Sequence, residues 1–114
     1  MNDQKRSSPR YQHQLAVDVE LGASRFSAQT RDLSLGGAFI ETDELVPFGA
    51  QITLRFRVRT EPTDEICIGA QVRWVEREGD RVSGVGVSFD GLRARDAYAL
   101  NKFFAESARV GVPS

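Results

Sequence analysis

Two arginines four residues apart, Arg6 and Arg10, precede a compact polar turn, Asp32-Leu33-Ser34-Leu35-Gly36-Gly37, which begins 22 residues after the second arginine. A guanidinium is planar, permanently charged and forked, so it grips phosphate, pairs with purine edges and stacks on rings. The turn packs an acid, a hydroxyl and two glycines into six residues. Such a stretch offers short polar groups and a close backbone approach. Together the two elements point to a small anionic ligand that carries planar rings. This chemistry is that of a binding module and not of an enzyme.

Other reactive residues form no rival constellation. His13 has no second histidine, and Cys67 has no histidine nearby to activate it. Asp43-Glu44 and Asp64-Glu65 are adjacent acids in turns, where spacing alone does not face two carboxylates across a pocket. No spacing suggests a metal site, so no cofactor is expected. One cysteine cannot form an internal disulfide, and no apolar run reaches the roughly 20 residues of a membrane span. The polar N-terminus lacks the apolar middle of a secretory signal. A cytoplasmic location is therefore expected. With 15 basic and 16 acidic residues the net charge is −1, which disfavours a general nucleic-acid binder.

The elements that must position these residues are mostly strands. Residues 1–13 are polar and broken by Ser7-Ser8-Pro9, and read as a flexible arm. Leu15, Val17, Val19 and Leu21 alternate with polar neighbours, and Phe26–Arg31 follows the Gly22-Ala23 turn. Arg31, just before the motif, reads as a solvated strand end that could also assist a phosphate. Further strands start at Ala38-Phe39-Ile40 and run over Gln51–Val58, Ile66–Trp74 and Val85–Phe89, with Gly79-Asp80 as a hairpin signal. Ile66, Ile68, Ala70, Val72 and Trp74 share one face, which places Trp74 in the core, with a ligand or partner contact as the alternative.

From Leu92 to about Ala108, the positions Leu92, Ala99, Leu100, Phe103 and Phe104 fit a helical stripe starting near Asp90 or Gly91. Six short strands without long intervening helices predict an all-β domain with a terminal helix. Its architecture is a small six-stranded antiparallel barrel with the helix over one opening. The expected division is an arm at 1–13, the barrel and helix at 14–109, and a tail at 110–114.

Arg6-Ser7-Ser8-Pro9-Arg10 resembles the RxxxR element of the PilZ domain family, and Asp32–Gly37 resembles that family's (D/N)xSxxG element. Gln71-Val72-Arg73-Trp74-Val75 and Gly84–Phe89 are similar to its late strands, so the resemblance covers nearly the whole chain. It implies a six-stranded barrel and a bacterial receptor for cyclic di-GMP, acting in motility, adhesion or exopolysaccharide control.

The resemblance implies Arg6, Arg10, Asp32, Ser34 and Gly37 as ligand residues, with Lys5 and Gly36 as accessory positions. Asp32 would accept hydrogen bonds from the guanine N1–H and N2–H₂ edge, and Ser34 would donate to a phosphate or a guanine. Gly37 would leave room for the ligand and permit positive φ. In this family the residue at Lys5 is associated with binding one ligand or an intercalated pair. Pro9 stiffens the arm next to Arg10.

Asp32-x-Ser34 also reads as a turn that caps its own backbone. The expected partners are cyclic di-GMP and an unidentified effector protein, read through the surface that the ligand and arm form together. Two alternatives remain. One is a PilZ-like adaptor that does not bind the nucleotide. The other is a small nucleic-acid-binding barrel using the Lys5–Arg10 arm and the Arg55, Arg57 and Arg59 stripe.

Overall fold

Alternating apolar residues become the inside of a closed sheet. The computed structural model describes residues 14–58 and 65–111. Six strands appear in chain order: β1 (Ala16–Leu21), β2 (Ser24–Leu33), β3 (Gly37–Glu41), β4 (Gln51–Arg57), β5 (Glu65–Glu78) and β6 (Arg81–Phe89). They pair antiparallel in the order β1-β2-β3-β6-β5-β4 and close into a barrel. Val17 and Val19, Ile52 and Leu54, Ile66 and Ile68, and Val85 and Val87 project into one core. Two tight reversals start with glycines at positive φ, Gly22 at 61° and Gly79 at 63°. Primed hairpin turns need that conformation at their first central residue.

Helix α1 (Ala94–Gly111) follows the barrel and adds buried Leu100 and Phe104 to the same apolar cluster. It starts later than Asp90 or Gly91, and the reason is local. The Asp90 amide donates to the Gly69 carbonyl and its carboxylate accepts from Gln51, so Asp90 stays tied to the barrel wall. Gly91 then takes a φ of 147°. The Arg93 carbonyl accepts the first helical hydrogen bond, from the Ala97 amide. Asp96, acidic in the first turn and buried, accepts from the Arg93 guanidinium at 3.0 Å. That hydrogen bond, and then the charge of Asp96, hold the exposed guanidinium above its ordinary pKa.

Strands also run longer than the alternation suggests. β2 continues past Arg31 to Leu33, and β5 continues past Trp74 to Glu78. Both extensions pass through bulges, where the pairing slips between Thr30 and Asp32, and between Val72 and Trp74. A bulge sets two residues against one and re-aims their side chains.

Candidate functional site

The Asp32–Gly37 segment is the end of β2, a tight turn and the first residue of β3. Ser34 holds the turn closed. Its hydroxyl oxygen accepts from the amides of Gly36 at 3.1 Å and Gly37 at 3.2 Å, and its hydroxyl donates to the Gly37 carbonyl. The Ser34 amide donates to that same carbonyl at 2.9 Å. The side chain is buried, and it is the Ser34 hydroxyl that caps this turn. The Gly36 carbonyl accepts from the Phe89 amide, which fastens the turn to the end of β6.

Gly37 is needed for a different reason than positive φ, since it is not among the glycines in that region. A Cβ there would lie 2.1 Å from the Val87 carbonyl oxygen. The missing side chain lets β3 approach β6.

Asp32 is set by the bulge in β2. Thr30 and Leu33 are both buried, and the two residues between them stand opposite a single partner, Phe39. Arg31 is exposed and Asp32 half-buried beside it. The chain joins the barrel at the same place. Leu15, five residues after Arg10, donates through its amide to the Thr30 hydroxyl and accepts the Thr30 amide at 2.9 Å. Arg6, Arg10 and Lys5 themselves lie outside the described residues, as does Arg59.

The ladder carries this row across the barrel. Asp32 pairs with Phe39, Phe39 with Gly86, and Gly86 with Trp74. Phe39 is only 2% exposed yet stands apart from the barrel core, between the core residues Ala38 and Ile40. The Arg31 guanidinium covers it, with Cζ 3.8 Å from the ring centroid. Trp74 packs beside it at 6.2 Å between centroids. Gly84 and Gly86 make the room, because a Cβ on either would collide with the Phe39 ring or the Trp74 indole.

A family model described as PilZ domain matches residues 4–106, a span that holds both the arginine pair and the Asp32–Gly37 turn. The chain belongs to the PilZ domain family. No curated protein matches the sequence. Among solved structures, the PilZ domain of Escherichia coli YcgR with c-di-GMP aligns with a TM-score of 0.73 at 16% identity, over 97% of this chain and 100% of that one. Bacillus subtilis MotI/DgrA, an inhibitor of motility, aligns with a TM-score of 0.76 at 17% identity, over 95% of this chain and 54% of that one. The complex of K. pneumonia MrkH with c-di-GMP gives 0.70 at 16% identity, over 90% and 52%. The chain thus spans about half the length of MotI and of MrkH. At these identities the likeness is one of fold.

Two outer-wall features of this PilZ barrel escape the alternation pattern. Trp74 is 44% exposed and outside the core, because the bulge at Arg73 reverses the face and gives the inward position to Val75. It lines an apolar groove with Leu45, Val46, Phe48, Val75 and Val82. Phe39 and Arg31 also belong to the outer wall, and their only sequence signal is the three-residue step between the apolar-facing positions Thr30 and Leu33. Among the described residues, no group of three His, Cys, Asp or Glu side chains is placed to hold a metal. None of the described helical residues forms a span long and apolar enough to cross a membrane.

Proposed function

We propose that this PilZ domain is a cyclic di-GMP receptor whose ligand is held between the arm and the Asp32–Gly37 turn. The observation that carries the reading is the attachment of Leu15 to Thr30. It roots a segment bearing Arg6 and Arg10 two residues from Asp32. The family match and the fold shared with the YcgR domain support it. Arg6 and Arg10 grip phosphates and guanine edges. Asp32, turned outward by the bulge, accepts from the guanine N1–H and N2–H₂ edge. Ser34 and Gly37 keep the turn rigid, so its exposed residue, Gly36, meets the ligand already in shape. Lys5 and Gly36 serve as accessory contacts.

The output is a changed surface. The arm carries little apolar area to hold it on the barrel alone, so ligand binding staples it there and a separate effector protein reads the result. Control of motility, adhesion or exopolysaccharide is the matching class of output.

Isothermal titration with cyclic di-GMP tests this, alongside Arg6→Ala, Arg10→Ala and Asp32→Ala. Binding at micromolar or tighter affinity, weakened roughly tenfold to a hundredfold by each change, is expected. No binding at high micromolar ligand sinks the receptor reading and leaves a PilZ adaptor that works through protein contacts. Hydrogen exchange over residues 4–12 tests the staple, which requires stronger protection with ligand than without.

A further inference from the structure

Arg31 is held in a geometry that a solvated strand end does not need. Its side chain is 46% exposed, yet the guanidinium is fixed from two directions. Its Cζ lies over the Phe39 ring, 3.8 Å from the centroid, and Nη1 reaches the Glu76 carboxylate at 3.6 Å. An exposed ion pair alone adds little. The aromatic floor beneath and the acid at the edge instead restrict the rotamers of a long side chain before any ligand arrives. The bulge is what makes this geometry available. Regular pairing would send Arg31 and Asp32 to opposite faces, whereas here both lie between buried Thr30 and Leu33. A half-exposed planar cation packed over an aromatic ring therefore sits next to Asp32, the residue proposed to receive a guanine edge.

We infer that Arg31 is a ligand-binding residue, and that its guanidinium stacks on a guanine of the bound nucleotide. The inference rests on the receptor reading above and adds a residue that the RxxxR and (D/N)xSxxG elements leave out. Phe39 extends the stack from below, giving the order base, guanidinium, phenyl ring. Cation and ring together form a purine platform on the barrel wall. The platform is prepared in advance, so ligand binding loses little side-chain freedom there. Lysine at this position would keep the charge and lose the plane.

The test is titration of the full chain with cyclic di-GMP, comparing the unchanged protein with Arg31→Lys and Arg31→Ala, with thermal unfolding recorded for each. Stacking requires both variants to bind roughly tenfold more weakly, lysine faring little better than alanine. If Arg31→Lys binds like the unchanged protein while Arg31→Ala is weakened, the contact is one of charge, and stacking is overturned. If both bind like the unchanged protein, with only the unfolding temperature lowered, Arg31 merely shields Phe39 and the inference fails alone. If the unchanged protein does not bind, the receptor reading fails and takes this one with it. Should Arg31→Ala unfold at assay temperature, Arg31→Lys decides, because its alkyl stem still covers the ring.

Discussion

The Trp74 indole lies so close over Gly86 that a Cβ there would sit 2.2 Å from the ring. The tryptophan therefore owes its position to a neighbour with no side chain, and not to a pocket in the core. Gly86→Ala is expected to swing the indole off the wall and to uncover Phe39. Overpacking of this kind costs about 1–3 kcal/mol. Trp74 is the only tryptophan, so its emission reports the change directly. A red shift together with a lower urea midpoint is expected. An unshifted spectrum would mean that the indole and the strand accommodate a methyl group in place.

Asp96 makes a different kind of contact, between an exposed arginine and a buried carboxylate in the first turn of α1. The helix N-terminus favours negative charge there, and the Arg93 hydrogen bonds complete the environment. Asp96→Ala is expected to lower the unfolding free energy by about 1 kcal/mol, the yield of one charge-assisted bond with a solvated partner. Because Leu100 and Phe104 anchor the same helix in the core, the helix itself should survive. Circular dichroism and urea titration check both halves of this expectation.

How far the sequence reached can be argued from these residues. Val17 with Val19 and Ile52 with Leu54 announce a half-buried strand by period alone, because each faces one core and nothing interrupts the pleat. Barrel closure and the terminal helix follow from such patterns. Trp74 and Arg31 do not, because each sits at a bulge, and a bulge shifts the face of every residue that follows it. The pattern Val72-Arg73-Trp74-Val75 is equally good alternation with Trp74 inward, and only pairing with β6 decides against it. Gly37 was legible as a residue that had to be small, but the positive φ expected of it is absent and its approach to β6 was not foreseen. Its neighbour Val87 is fifty residues away in the chain, and close backbone approach leaves no local mark.

Ser34 is expected to matter to the fold before it matters to any ligand. Ser34→Ala removes the acceptor of two amides, one of them the buried Gly37 amide. An unmet buried donor costs about 1–3 kcal/mol. The variant should unfold at lower urea, and the Gly36 and Gly37 amides should exchange faster with solvent. Unchanged exchange at both amides would show that the β3 ladder holds the turn without the hydroxyl.

Gly37→Ala separates two explanations of a lost ligand. A methyl group 2.1 Å from the Val87 carbonyl forces β3 away from β6, at a cost of about 1–3 kcal/mol or more. Ligand affinity should fall as well, but through displacement of the turn, because the added carbon points at β6 and not at the nucleotide. Gly36→Ala is the comparison, since Gly36 is exposed at the turn. A variant that lowers affinity at unchanged urea midpoint marks a surface the ligand touches, and one that lowers both marks a surface the barrel needs. Gly37→Ala is expected in the second class. An unchanged midpoint there would mean that the strands separate at little cost, and that the glycine is kept for the ligand.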